Sequence, residues 1–184
     1  MHLPSPADIV AFWRDAGAEM WFAKDSAFDT LIRRRFEAAH HAAARGELNH
    51  WGETPEGALA RLLLLDQFPR NMWRGSAHAF ATDPLALAVA RSAIAAGHDV
   101  ATRTDLRAFF YLPFEHSEAL RDQDLCLAKC LLLDAESGSD WSNWAQAHRE
   151  IILQFGRFPH RNACLGRMST AEERAFLDLG GFSG

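Results

Sequence analysis

Apolar residues recur at helical spacing along most of the chain, and each run follows residues that typically begin a helix. Ser5 and Pro6 supply an N-cap and a proline at the first helical position, and Ile9, Trp13 and Met20 then mark one apolar face. Further start signals, each ahead of an apolar face, lie at Ser26, Thr54, Asp83, Ser117, Asp140 and Thr170. The pattern predicts a chain built from helices.

Helix ends and the lack of strand patterns complete the predicted architecture. Helices should end near Gly46, Gly97 and Asp134, and a shorter one over residues 106–111 should stop before Pro113. No alternating run rich in Val, Ile and Thr occurs, so β-strands are not expected. We therefore predict an all-α fold of seven or eight antiparallel helices, arranged as a bundle or as stacked helical hairpins.

Length and composition fit one globular domain. The chain has 184 residues, of which 48% are hydrophobic and 23% charged, as in globular rather than disordered proteins. We expect a single domain over residues 1–184, with residues 180–184 as a flexible tail. No apolar run reaches the roughly 18 residues of a membrane span, and the N-terminal sequence lacks an export signal. A cytoplasmic protein that does not bind membranes is expected.

Charge and cysteine content argue against two further classes of protein. The formal net charge of −5 is unfavourable for general nucleic-acid binding, which requires a basic surface. The three cysteines, Cys126, Cys130 and Cys164, form no CxxC pair. We interpret them as small hydrophobic residues in a reducing compartment rather than as a redox or zinc centre.

Motifs that would identify a chemistry are few. Asp66, His116, Glu118, His148 and His160 are residue types that bind metals, but none sits at a tight ligand spacing, and nearby arginines would repel a cation. The sequence has no GxSxG, P-loop or GxGxxG motif. We therefore expect no metal and no cofactor. Whether the protein is an enzyme, and its oligomeric state, do not follow from the sequence.

Two segments about ninety residues apart resemble each other: residues 65–75, the first Phe-Pro segment, and residues 155–167, the second. Both contain Phe-Pro, then Arg-Asn, then a glycine four residues beyond the asparagine. Pro69 cannot donate to the carbonyl four residues back, and its ring clashes there, so its helix should kink or end near residues 65–68. The freed backbone groups need partners, which Arg and Asn side chains can supply.

The charge distribution around these segments indicates a binding site. Residues 67–82 and 151–171 contain arginine and histidine but no acidic residue. Because arginine pairs bind carboxylates and phosphates through two hydrogen bonds, we expect the segments to lie side by side and form one pocket for an anionic small molecule, with or without catalysis. The candidate residues are Asp66, Arg70, Asn71, Arg74, His116, Glu118, Arg157, His160, Arg161 and Asn162.

A purely structural polar network is the alternative to this pocket. In an open pocket, Arg70 and Arg161 face a partly solvated cavity and have no fixed carboxylate partner. In a structural network, each arginine pairs with a buried acid such as Asp66 or Glu118. Residues 116–118 likewise have a structural interpretation as the start of a helix.

Five motifs together resemble the bacterial domain-of-unknown-function 924 family: Phe-Asp at 28–29, DQFPRN at 66–71, RGSAHAFATDP at 74–84, FEHSE at 114–118 and FGRFPHRN at 155–162. The likeness runs from about Val10 to Leu177. It implies an all-α, tetratricopeptide-like arrangement of stacked helices and no established activity, so no catalytic residue follows from it. By analogy with that fold, a groove that binds a peptide or protein partner is a further alternative.

Overall fold

The computed structural model describes residues 3–182, in which helices joined by turns and short loops make up the fold and no strand occurs. The all-α prediction is confirmed. None of the described helices is both long and apolar enough to cross a membrane. Contacts divide the chain into two compact units. The first unit comprises residues 3–74 with His78–Pro113, and the second comprises Gly75–Ala77 with residues 114–182. The single-domain expectation stays a prediction.

The first unit carries the helices α1 to α8. Their bounds are α1 Pro6–Ala16, α2 Ala18–Trp21, α3 Ser26–Ala44, α4 Pro55–Leu62, α5 Phe68–Met72, α6 Asp83–Ala95, α7 His98–Ala101 and α8 Thr104–Arg107. A π-helical turn, Leu63–Gln67, joins α4 to α5. Turns of 3-10 helix lie at Asn49–Glu53, Ala77–Phe80 and Ala108–Phe110.

Side-chain caps mark where α1 and α3 of the first unit begin. Ser5 is the N-cap of α1, as its position before a proline predicted, and it forms a capping box with Asp8. The start of α3 differs from the prediction, because Asp25 rather than Ser26 is its N-cap. The backbone is still extended at Asp25, whose carboxylate accepts from the amide of Phe28 at 2.7 Å. Ser26 is therefore already helical.

Stacked and edge-on aromatic rings form the core of the first unit. Trp13 stacks on Trp21, with ring centroids 6.2 Å apart, and meets Phe109 edge-on at 5.7 Å. Phe36 of α3 stacks on Phe68 of α5 at 4.8 Å, and both side chains are fully buried. Such pairs add to the stabilisation that burial of apolar surface provides. They hold α3 directly beside the π-helical turn.

The second unit is built around a pair of long helices. Its helices are α9 Leu112–Glu115, which begins in the first unit, α10 Leu120–Ser137, α11 Trp141–Phe155 and α12 Ala171–Asp178, with a 3-10 turn at Pro159–Arg161. α10 packs against α11. Thr170 forms the predicted capping box of α12 with Glu173.

The predicted caps of the second unit are only partly right. Asp140 is the N-cap residue of α11, as expected, but its side chain makes no cap bond. The carboxylate of Asp134, on α10, accepts instead from the amides of Trp141 and Ser142, at 2.9 and 2.8 Å. The Ser117 cap is wrong, because α10 begins at Leu120 after the N-cap Ala119, whose amide donates to the Ser117 hydroxyl.

The C-terminal residues and the cysteines complete the second unit. Phe182 packs against His148, with ring centroids 4.5 Å apart. The expectation of a flexible tail over residues 180–184 stays a prediction. Residues 183–184 lie outside the described part. Cys126 and Cys130 are buried free thiols with Sγ atoms 3.8 Å apart, which confirms their interpretation as small core residues, and Cys164 is half-buried and free. The contact with Cys130 and burial raise the pKa of the Cys126 thiol.

Candidate functional site

The helix around Pro69 widens instead of ending. The regular α-helix is interrupted by a π-helical turn at Leu63–Gln67, close to residues 65–68, where we expected Pro69 to kink or end it. The helix then continues past Pro69 to Met72, so the chain does not leave the helix at this point. The amide of Phe68 donates to the Leu63 carbonyl, five residues back. The wider turn gives the proline ring space beside the preceding carbonyls. Turns of this kind inside α-helices are frequent at functional sites.

Side chains from other elements bond the carbonyls that this turn frees. The Leu64 carbonyl accepts from Nδ1 of His40 at 2.8 Å, since the Phe68 amide is directed elsewhere. The Leu65 carbonyl would pair with residue 69 in an α-helix, but proline has no N–H, and the Thr82 hydroxyl donates to it at 2.6 Å. Arg70 donates to the Asp66 carbonyl, as we expected of an arginine here, while His40 and Thr82 bond the carbonyls of Leu64 and Leu65.

Arg70 of the first Phe-Pro segment is paired with acids. Its guanidinium donates to both carboxylate oxygens of Asp83 at 3.0 Å and lies 3.3 Å from the carboxylate of Asp66, whose side chain is 1% exposed. The expectation that Arg70 lacks a fixed carboxylate partner is therefore wrong. This arrangement matches the structural-network alternative.

The other polar residues of the first segment meet one carboxylate on α3. Asp29 accepts from Nδ2 of Asn71 at 2.8 Å and from Nε and Nη2 of Arg74 at 2.6 and 3.0 Å. Arg74 also donates to the Ala23 carbonyl. These bonds tie the end of α5 to the start of α3.

In the second Phe-Pro segment, Arg157 and Asn162 converge on Glu173. Its buried carboxylate accepts from Nε and Nη2 of Arg157, at 2.6 and 2.8 Å, from Nδ2 of Asn162 and from the amide of Thr170. The Arg157 hydrogen bonds are the main reason that the pKa of Glu173 falls to about 2. Glu173 thus links the segment to α12.

Glu118 is paired within the second unit as well. Arg167 donates to its two carboxylate oxygens at 2.7 and 3.0 Å, and the Phe158 amide donates at 2.8 Å. Burial raises the pKa of Glu118, but these donors outweigh it and lower that pKa overall. Arg167, rather than Arg161, is the arginine that holds this acid.

Arg161, His116 and His160 lie against backbone and aromatic rings. The buried Arg161 donates to the His116 carbonyl at 3.0 Å, and its guanidinium lies 4.5 Å from the centroid of the Phe158 ring. The His160 ring lies 5.7 Å from that of Phe158 and 5.3 Å from that of Phe182. This packing favours a structural role over an open cationic pocket.

The candidate residues from the sequence therefore form two sets, one in each unit. Asp66, Arg70, Asn71 and Arg74 belong to the first, and the six from His116 to Asn162 belong to the second. A surface cavity of about 460 Å³ beside Arg157 is also lined by Glu172 and Glu173, which makes it unfavourable for an anion. The expectation of one pocket shared by the two segments stays a prediction.

A cluster of three imidazoles lies next to the π-helical turn. One ring nitrogen from each of His40, His41 and His78 lies within 4.8 Å of the others. His40 and His41 are adjacent on α3, and His78 belongs to the 3-10 turn Ala77–Phe80. His40 is buried, His41 half-buried and His78 exposed, so the cluster leads from the core to the surface. We call it the histidine triad.

The Leu64 carbonyl determines the tautomer of His40. A carbonyl oxygen can only accept, so Nδ1 carries the hydrogen and Nε2 carries the lone pair when the ring is neutral. Burial is the largest cause and lowers the pKa of His40. The Leu64 hydrogen bond raises it, and the neighbouring His41 and His78 lower it again, so the pKa falls below its usual value overall. The neutral imidazole, the form that binds metals, is thereby favoured.

Trp73 holds the exposed member of the triad in place. Its indole stacks on the His78 ring, with centroids 3.8 Å apart and an interplanar angle of 1°. The same indole lies 4.9 Å from the ring of His40 and 5.9 Å from that of His41. The indole therefore stacks only on His78 and meets the rings of His40 and His41 at tilted angles, so one tryptophan contacts the whole cluster.

The triad is not among the site residues predicted from the sequence. The signal available was the adjacent His40-His41 pair, three residues after Glu37, on a helix with a clear apolar face. His78 is 37 positions further along, and only the π-helical turn and the segment after it bring it back to α3. No tight ligand spacing in the sequence could have indicated that contact.

Comparisons with known proteins place the chain in a family without assigning a chemistry. A family model described as a bacterial protein of unknown function, DUF924, matches residues 9–181. A solved structure of a protein of unknown function from Agrobacterium tumefaciens is 51% identical, with a TM-score of 0.89 over 95% of this chain and 97% of that one. A comparison with curated proteins finds no match. The chain belongs to the bacterial DUF924 family.

Proposed function

We propose that the protein binds a divalent transition-metal ion at the histidine triad. The observation that carries this proposal is the approach of three imidazole nitrogens to within 4.8 Å of one another. Imidazole is the common nitrogen ligand of Zn²⁺, Ni²⁺, Cu²⁺ and Co²⁺, whereas Mg²⁺ and Ca²⁺ prefer oxygen. Zinc sites with three histidine ligands, and a fourth coordination position taken by water or substrate, are known in enzymes.

Small side-chain rotations would complete the geometry. A tetrahedral ion with Zn–N bonds of about 2.0–2.1 Å brings its nitrogen ligands to about 3.3 Å from one another. His41 and His78 have the solvent exposure to make that adjustment, while buried His40 serves as the fixed ligand. Nε2 of His40 is the donor atom, because Nδ1 is bonded to the Leu64 carbonyl.

The Leu64 carbonyl supports the proposal as an outer-shell partner. Metal-binding histidines generally donate their second ring nitrogen to a carboxylate or a backbone carbonyl, which orients the ring and strengthens it as a ligand. Here the π-helical turn frees the carbonyl that does this. The unusual backbone and the triad are thus parts of one arrangement.

Thermal unfolding of chelator-treated protein with added metal tests the proposal. An ion at one hundred times its dissociation constant stabilises a protein by about 2.7 kcal/mol, or roughly 5–11 °C for a chain of this size. We expect that increase with Zn²⁺, Ni²⁺ or Co²⁺ and none with Mg²⁺. His41→Ala and His78→Ala should abolish it, whereas His50→Ala, which removes an exposed histidine outside the triad, should keep it.

A stabilisation that persists in both triad variants would contradict the proposal, as would the absence of any metal effect on the parent protein. The other expected functions stay predictions: the anionic ligand, the peptide or protein groove, the tetratricopeptide-like stacking and the cytoplasmic location. Carboxylates of the protein already form salt bridges with four arginines of the two Phe-Pro segments, Arg70, Arg74, Arg157 and Arg167. An anionic ligand would have to displace them, so metal binding at the triad has more direct support.

A further inference from the structure

Glu37 lies on α3 one turn before the histidine pair. An α-helix turns by about 100° per residue. Viewed along the helix axis, the direction of the Glu37 side chain therefore lies between those of the two histidines, about 60° from His40 and about 40° from His41. Helical side chains lean toward the N-terminus of their helix, so both imidazoles extend over the turn that carries Glu37. Glu37 therefore lies on the same face of α3 as His40 and His41.

The spacing of Glu37 and His40 suits a shared metal. Glu-x-x-His motifs on a helix direct both side chains to the metals of di-iron helical bundles. Zinc accepts a carboxylate oxygen at about 2.0–2.2 Å beside histidine nitrogens.

Glu37 makes a weak surface contact with Arg33. Its carboxylate accepts from Nε and Nη2 of Arg33 at 3.5 and 3.4 Å, both long for a charged pair. The Arg33 and Glu37 side chains are 53% and 37% exposed. Exposed pairs four residues apart on a helix stabilise a protein little, so a metal ion can displace Arg33.

We propose that Glu37 is the fourth ligand of the metal site and that Arg33 competes with the ion for it. This inference rests on the proposed function, since it assumes that the triad binds a metal. The bound ion would then have three histidines and one carboxylate, all from the first unit. Arg33 weakens binding by holding Glu37, and its release is part of the binding reaction.

Titration calorimetry with Zn²⁺, together with the visible absorption of bound Co²⁺, tests this ligand set in the full-length protein. Glu37→Gln should bind Zn²⁺ at least about tenfold more weakly and change the Co²⁺ spectrum, because water replaces the carboxylate. Glu37→Asp keeps the charge but shortens the reach by one methylene, and it should show a similar loss. Arg33→Ala should tighten binding about two- to threefold.

Matched variants separate ligation from plain electrostatics. Glu47→Gln removes the carboxylate of another exposed pair, Arg45–Glu47, and should bind Zn²⁺ like the parent protein. Arg33→Ala should tighten binding clearly less when Glu37 is already Gln. Equal tightening in both backgrounds, or parent-like affinity and Co²⁺ spectrum in Glu37→Asp, would overturn Glu37 as a ligand.

The triad variants distinguish failure of this inference from failure of the proposed function. If His41→Ala and His78→Ala lose the metal while Glu37→Gln matches the parent protein in affinity and spectrum, the metal site stands and the fourth ligand is not Glu37. If the parent protein binds none of the transition-metal ions, both proposals are wrong.

Discussion

Replacing Thr82 with valine tests the account of the π-helical turn. The change keeps the shape of the side chain but removes the hydroxyl that donates to the Leu65 carbonyl at 2.6 Å. Thr82 is 6% exposed, so water does not readily replace that donor. A buried carbonyl left without its partner costs about 1–3 kcal/mol. For a chain of 184 residues this lowers the melting temperature by roughly 2–4 °C per kcal/mol.

A second change makes the test specific to the proline. In Pro69→Ala, residue 69 regains an amide at the position from which an α-helix bonds the Leu65 carbonyl. Thr82→Val should then cost clearly less in the Pro69→Ala background than in the parent, since the carbonyl has another donor. Urea unfolding of the four proteins gives the coupling free energy directly.

An exposed threonine provides the matched control. Thr30 donates to the Ser26 carbonyl within α3, at 2.8 Å, and Thr30→Val should change stability by less than about 0.5 kcal/mol. Equal losses from Thr82→Val with proline or alanine at residue 69 would show that Thr82 does not replace the hydrogen bond that Pro69 cannot make to the Leu65 carbonyl. So would a loss no larger than that of the control.

Two further predictions follow from the acid–arginine networks. Arg70→Ala leaves the buried Asp66 without its guanidinium and should cost about 3 kcal/mol in urea unfolding, whereas Arg45→Ala, at an exposed pair, should have no measurable effect. The pKa of Glu173 is depressed from 4.5 to about 2, so its ionised form stabilises the fold above pH 4.5. That contribution should disappear as pH falls from about 4.5 to about 2, and Glu173→Gln should lack this pH dependence; an unchanged profile would contradict the assignment.

The helices could be predicted because their signals are local. The capping boxes at Ser5 and Thr170 and the glycine after α3 need only neighbouring residues to act. The wrong predictions concern groups with competing partners nearby. The first amides of α11 donate to Asp134 instead of Asp140. At Pro69 the helix continues through the π-helical turn, because His40 and Thr82 bond the carbonyls that the turn frees.

The candidate site could be predicted only in part. The two Phe-Pro segments do gather arginines, but the acids that pair with them lie elsewhere in sequence, such as Asp29 and Glu173. A stretch without acids says nothing about the acids that the fold brings to it. The histidine triad depends on the same kind of distant contact, between α3 and His78, so its ligand spacing cannot be seen in the sequence.

Anomalous diffraction at the zinc absorption edge shows whether His40, His41 and His78 bind one metal ion together. For crystals of the parent protein grown with Zn²⁺, we expect one anomalous peak about 2.0–2.1 Å from Nε2 of His40 and from a ring nitrogen of both His41 and His78. Crystals with bound zinc elsewhere and no anomalous peak among these three rings would rule out the metal site.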